Sequence, residues 1–345
     1  MYIGSVDEGV NCYIGNTAPN KSVIITGRSG EGKSCRENII ELDAAEKGDT
    51  IICIDTSQNH QEAYLLSSIK ERYCNRVNRI DGVEMGLNLH LLEPISYDGK
   101  TESLFNVISS NVTLLGSGLS LGVRQQAALR TVIGEAIQIQ KRLGCDETEA
   151  LIMAFESDER DIKRQEVYQK LWTVLHSRVF RNGTKKILGG MVNIIDLKGL
   201  EPRAAELVSE IVVGYLWRMV FNIGIPKEWG RVTIVIDEFQ HFKLGNASTI
   251  RTILREGRRF GLGVILSTQT LNIFPKDVVV MLMQSATHLI FKPTDAEIQE
   301  VAKSIDPKRV SYWRKVLEGL KIGECIAIGA KNVSGCEITR PLKLR

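Results

Sequence analysis

Gly27-Arg28-Ser29-Gly30-Glu31-Gly32-Lys33-Ser34 fills every fixed position of the pattern G-x-x-x-x-G-K-[ST]. Each residue type there has its own physical task. Glycines let the backbone curl so that successive N–H groups converge on phosphate oxygens. A lysine at position 33 reaches the β and γ phosphates of a nucleoside triphosphate, and the Ser34 hydroxyl completes a Mg²⁺ shell. The candidate nucleotide-binding residues are therefore Gly27, Arg28, Ser29, Gly30, Glu31, Gly32, Lys33 and Ser34, with Cys35 directly behind them.

The flanks suit this chemistry. Ser22-Val23-Ile24-Ile25 predicts a short buried strand before the loop, and Glu37 through Lys47 predicts a helix stopped by Gly48. Strand, glycine loop and helix come in the order that adds a helix's positive dipole end to the phosphate site.

Further along, Val232-Thr233-Ile234-Val235-Ile236-Asp237-Glu238 is an apolar run ending in two carboxylates. Ligands of a parallel sheet gather at the carboxyl ends of its strands. There Asp237 faces the metal shell of Ser34, and Glu238 is placed to orient or deprotonate an attacking water. The next apolar run, Gly263 to Leu266, ends in Ser267-Thr268-Gln269, which sets the Gln269 amide near a γ phosphate. Between the two, Ser248 to Phe260 predicts a helix capped by Asn246 or Ser248. Arg251, Arg255 and Arg258 fall on one stripe opposite Ile250, Ile253 and Leu254, with Arg259 beside them. The stripe is either a solvated face or a subunit edge that presents an arginine to a neighbour's γ phosphate.

Near-continuous Ile/Val/Leu runs recur at 22–26, 50–55, 191–196, 232–237, 263–268, 287–291 and 324–328. Such strands are buried on both faces, so the fold class is α/β, with a mostly parallel sheet covered by helices. Residues 62–186 are mainly helical in pattern and predict a helical insertion between two parts of the core, 1–61 and 187–345. Within that insertion the charged run Glu156 to Arg164 predicts a solvated helix face.

Composition narrows the class. A chain of 345 residues, 43% hydrophobic and 25% charged, is an ordinary globular protein with a sizeable core. A net charge of only +3 means that any nucleic-acid contact must come from local basic patches. Candidates are 181–186, with Arg181, Lys185 and Lys186, and the loop holding His241 and Lys243. The seven cysteines are scattered without metal-ligand spacing, as reduced thiols of a cytoplasmic protein are. Met1 to Glu8 has neither a basic start nor a long apolar run, so no signal peptide is expected. The apolar stretches 211–223 and 278–291 are interrupted by Arg218, and by Gln284 and His288, and predict buried core elements instead of membrane spans.

Together these pieces resemble the HerA/FtsK superfamily of ring-forming motor ATPases, and its HerA branch most. The resemblance is carried by Gly27 to Ser34, by Ile236-Asp237-Glu238-Phe239, and by Glu256-Gly257-Arg258-Arg259-Phe260-Gly261-Leu262-Gly263 running into Leu266-Ser267-Thr268-Gln269. Asn193 to Leu200 and Gly323 to Gly329 agree as well. The resemblance implies a RecA-like P-loop ATPase core, a hexameric ring, and ATP-driven movement of double-stranded DNA with a partner nuclease or effector; the membrane anchor of some relatives is not expected. It assigns phosphate and Mg²⁺ binding to the glycine loop, Lys33 and Ser34, metal and water to Asp237 and Glu238, and sensing to Gln269. A trans-acting arginine comes from Arg255, Arg258 or Arg259, with Arg258 first. Only 26 residues precede Gly27, so the full amino-terminal β-barrel of HerA proteins is not expected. Two alternatives stand beside the DNA motor. One is a conjugation or secretion ATPase acting on polypeptide or nucleoprotein; the other is a nucleotide-gated scaffold for a partner enzyme.

Overall fold

The computed structural model describes residues 1–345 apart from 7–8, 19, 57–64, 88, 178, 182, 184, 243, 246–247 and 286. The chain opens with β1 (Tyr2–Ser5) and β2 (Asn11–Ile14), then β3 (Val23–Thr26), α1 (Lys33–Glu46) and β4 (Thr50–Asp55). Next come α2 (Lys70–Cys74), β5 (Val77–Asp81) and a small hairpin of β6 (Ser96–Tyr97) with β7 (Lys100–Thr101). Four helices follow: α3 (Leu104–Gly118), α4 (Val123–Leu143), α5 (Glu147–Glu156) and α6 (Ile162–His176). The second half alternates β8 (Val192–Asp196), α7 (Pro202–Asn222), β9 (Val232–Ile236), α8 (Thr249–Phe260), β10 (Leu262–Thr268), α9 (Lys276–Ser285) and β11 (Thr287–Ile290). It ends with α10 (Ile298–Ile305), α11 (Val310–Glu318), β12 (Cys325–Ile328), β13 (Lys331–Val333), β14 (Cys336–Ile338) and β15 (Leu342–Leu344).

Nine strands form the main sheet in the order β15-β12-β11-β3-β10-β9-β4-β8-β5. From β11 to β5 every pairing is parallel, while β12 runs antiparallel to β11 and β15. All seven apolar runs of the sequence are strands of this sheet. Alternate residues serve opposite faces, as strand pleating requires. Ile24, Ile52, Ile234 and Leu266 join the core under α3 to α8, whereas Val23, Ile25, Cys53 and Ile265 join the core under α1. The hairpin of α10 and α11 packs a third, smaller core on Ile290 and Ile326.

Three expectations need amendment. Helix α1 starts at Lys33 and not at Glu37, because Gly32 in the left-handed region (φ 97°) turns the chain straight into the helix. The charged run 156–164 is not one helix face: residues 157–161 form a turn between α5 and α6. Asp161 caps α6 by accepting from Lys163 N (2.9 Å) and Arg164 N (3.1 Å), and Arg164 is buried against Ala154 O and Glu135. Within 62–186, besides the helices, Val77–Asp81 forms the edge strand of the main sheet beside β8.

A second sheet, β1-β2-β13-β14, pairs the first strands of the chain with a late hairpin. These strands are three or four residues long and half exposed, which hides their period in the sequence.

Both interrupted apolar stretches lie in the core. Arg218, 4% exposed on α7, donates through Nε to both Glu102 oxygens (2.9 Å each) and through its other nitrogens to Leu91 O (2.8 Å) and Glu93 O (2.7 Å). Removing one member of such a buried pair costs about 3–5 kcal/mol. No helix among the described residues is long and apolar enough to cross a membrane.

His288 sits buried on β11 with Nε2 3.1 Å from Leu282 O, so Nε2 carries the proton, and Nδ1 has no partner among the described residues. Burial lowers its pKa from 6.5 to about 4. The unfolded chain binds this proton more readily, so the stability it secures is complete above pH 6.5 and lost as pH falls through about 4. Denaturant unfolding of the wild type and His288→Leu at pH 7 and pH 4 should show their difference changing by on the order of 3 kcal/mol. A difference independent of pH would remove this role.

Candidate active site

Register places the candidate groups on one edge of the sheet. Thr26 of β3 lies beside Thr268 of β10, Leu266 beside Ile236, and Ile236 beside Ile54. The glycine loop, Asp237, Asp55 and Gln269 therefore all leave the sheet at the same level.

The glycine loop is held from outside. Arg28 N donates to Lys292 O (3.0 Å) and Gly323 N donates to Glu31 O (2.9 Å), while Arg28 Nε meets Glu31 Oε1 at 2.5 Å. Gly27 has φ 142°, and a Cβ there would lie 2.6 Å from Phe291 Cβ. Only glycine fits that position. Lys33 Nζ donates to Gly27 O (2.7 Å) and Arg28 O (3.1 Å). Burial lowers the Lys33 pKa, and the nearby carboxylates of Asp237, Glu238, Glu37 and Glu31 act in the other direction. The first turn of α1 points N–H groups out of the loop, since Gly32 offers no capping side chain.

Asp237 is 9% exposed, and its Oδ1 accepts from Glu238 N (2.9 Å). Glu238 has φ 51°, a left-handed conformation that a non-glycine residue keeps only where its surroundings impose it. Both of its carboxylate oxygens are engaged: Oε2 by Gln240 Nε2 (2.5 Å) and Oε1 by Gln269 Nε2 (3.4 Å). Thr268 Oγ1 in turn donates to Gln240 Oε1 (2.7 Å). Lys33, Asp237, Glu238 and Gln269 thus lie together at this edge. Gln240 was not marked by any pattern, though it lies two residues beyond the carboxylate pair.

Glu37 is the other group that the motifs do not single out. It lies one turn after Lys33 on α1, 1% exposed, with Oε1 unpartnered. Burial first, then Asp237, Glu41 and Asp55, raise its carboxyl well above the usual range, with Lys33 opposing. A carboxyl group in the first turns of a helix reads as solvated unless the facing strands are known. The oxygen donors of Ser34 and Asp237 suit Mg²⁺, which takes one or two protein oxygens and keeps waters and phosphates for the rest.

The arginines stand elsewhere. α8 starts after Ser248, whose side chain makes no capping bond, and Asn246 lies outside the described residues. The helix, roughly 18 Å long, runs from the carboxyl edge of the sheet to the start of β10, so Arg258 and Arg259 in its last turn lie toward the opposite edge from the glycine loop, with Arg255 midway. Arg258 NH1 donates to Ala18 O (3.0 Å), and with Lys21 and Arg231 it lines a recess at the amino ends of β9 and β10. Burial, then Arg231 and Arg258, lower the Lys21 pKa. Arg255 is exposed beside Glu256, Arg259 lies over the Phe260 ring, and Arg251 is tied to Leu244 O and Asp277.

Of the basic segments, Lys185 donates to Arg79 O (2.8 Å) and His241 faces Glu206 at 3.6 Å. Asn182, Thr184 and Lys243 lie outside the described residues. The cysteines, buried or not, are free thiols.

No family model matches the sequence. The structure of VirB4 of Thermoanaerobacter pseudethanolicus superposes with a TM-score of 0.70 at 15% identity, covering 100% of this chain and 96% of that one. This is the RecA-like P-loop NTPase fold. Plasmid coupling protein TrwB in complex with a non-hydrolysable ATP analogue shares the RecA-like fold, with a TM-score of 0.63 at 12% identity over 95% of this chain and 85% of that one. A curated sequence relative, a probable helicase of Methanocaldococcus jannaschii, is 21% identical over 347 residues. That match takes in 91% of this chain and 61% of the relative, so the RecA-like chain spans about three-fifths of the relative's length.

Proposed function

We propose that this chain is an ATP-hydrolysing motor that works as a homo-oligomeric ring, a hexamer, and translocates double-stranded DNA. The observation that carries the reading is the convergence of Lys33, Asp237, Glu238 and Gln269 on one sheet edge, with the arginines of α8 carried to the opposite edge. ATP lies on the N–H groups of the glycine loop, and Lys33 turns from the loop carbonyls to its phosphates. Ser34 and Asp237 would hold a Mg²⁺ ion, which would offset the charge of the phosphates. Glu238, fixed by Gln240 and Gln269, orients the attacking water and draws off its proton. In this reading Arg258, carried by α8 away from its own subunit's site, serves the next subunit of the ring.

Residues 1–61 and 187–345 are the two parts of the ATPase core in this reading, and 62–186 is an insertion that also lends the edge strand β5. The helicase name of the curated relative favours nucleic acid as the substrate. A motor that grips phosphates needs no base readout, so its contacts are sequence-independent and weaken with salt.

The decisive measurement is ATP turnover with and without double-stranded DNA, on protein whose mass in solution has been determined. A hexamer whose hydrolysis rises severalfold with duplex DNA, and falls back in high salt, is the expected result. Turnover indifferent to DNA in an intact ring would favour the second reading, a conjugation-type ATPase acting on polypeptide, to which the fold shared with VirB4 and TrwB also lends itself.

A further inference from the structure

We infer that Glu297 is a positioning residue for hydrolysis: its carboxylate anchors the loop after β10 and so holds Gln269 against Glu238. The inference rests on the reading of this site as an ATP-hydrolysing centre.

Gln269 is the first residue beyond β10, and its side chain is exposed, with a single long bond to Glu238 Oε1. Its position therefore depends on the backbone that follows. That backbone is fixed at once: the Thr270 hydroxyl and Asn272 Nδ2 (3.3 Å) both donate to Glu297 Oε1. On the other oxygen, Thr294 Oγ1 donates to Oε2 (2.6 Å). One carboxylate thus accepts three hydrogen bonds and ties together the two loops that leave β10 and β11 beside the glycine loop.

Two facts separate this arrangement from ordinary helix capping. Glu297 occupies the N-cap position of α10, yet its side chain makes no capping bond to that helix. Behind the loop lies a cleft of about 140 Å³, lined by Gln269, Leu271, Met283, His288, Phe291 and Glu300. Packing leaves the loop room to fall inward. Bonds to a charged acceptor are stronger than neutral ones, so the carboxylate is what holds the loop out.

The test compares Glu297→Ala, Glu297→Gln and Thr270→Val with the wild type in kcat, KM and affinity for a non-hydrolysable ATP analogue. A misplacement of about 1 Å costs on the order of 100-fold in rate, so Glu297→Ala should lose 10- to 100-fold in kcat with analogue affinity within twofold. Glu297→Gln keeps an acceptor for Thr270 and should recover most of that loss, whereas Thr270→Val should share it from the other side. In a Gln269→Ala background Glu297→Ala should cost little more, because both act through one amide. Equal losses in both backgrounds, or a Glu297→Ala rate within twofold of the wild type, would overturn the inference alone. A wild type that binds the analogue but never hydrolyses ATP would overturn the reading of the site and this inference with it.

Discussion

Lys33→Ala is expected to lose nucleotide binding and, with it, all turnover. Lys33 is 8% exposed and stands among Asp237, Glu238, Glu37 and Glu31, so its ammonium supplies positive charge beneath the loop. Truncating one partner of a buried, charge-assisted contact costs about 2–5 kcal/mol. At 1.4 kcal/mol per factor of ten, that is roughly 30-fold to several thousandfold in affinity. Calorimetric titration with a non-hydrolysable analogue measures it directly, with thermal unfolding as the control for fold. An affinity within threefold of the wild type would take Lys33 out of the phosphate site.

Arg258→Ala should behave in the opposite way, keeping nucleotide affinity while turnover falls by about 10³–10⁵, the range that a trans-acting arginine supplies. The reason is geometric. α8 carries Arg258 to the recess beside Ala18, Lys21 and Arg231, at the far ends of the strands from Lys33. Mixing supplies the sharper check. Arg258→Ala subunits keep Glu238, and Glu238→Gln subunits keep Arg258, so a mixed ring contains some interfaces where both native groups meet. Hydrolysis should return on mixing two inactive proteins. Inactivity at every mixing ratio, in rings shown to exchange subunits, would mean that the arginine does not act across the interface.

Much of this molecule is legible in its residues. The seven runs rich in isoleucine and valine are central strands buried on both faces, and burial of that kind leaves a continuous apolar signature. Lys33, Asp237, Glu238 and Gln269 could be placed together because each ends or follows one of those strands. What escaped has physical causes. β5, Val-Asn-Arg-Ile-Asp, is an edge strand whose exposed side tolerates polar residues, and its composition conceals it. The strands of the small sheet are too short to show a period. Glu37 and Glu297 are carboxylates in or next to helices, where acidic residues are commonplace, and only the neighbours supplied by distant segments give them meaning. Asp161 is a plain capping residue that the surrounding charges disguise.

The environment of Arg218 bears on how the chain is put together. Its partners Glu102, Leu91 and Glu93 all belong to 62–186, whereas α7 belongs to the half that carries Asp237. Asn193 of β8 likewise accepts from Asn78 of β5 (2.8 Å). Excising that stretch would strand a guanidinium inside the remaining protein, so the helical portion is no detachable module. The two portions should therefore melt as one cooperative unit, and shortening this protein would have to proceed by trimming loops, never by removing the middle of the chain.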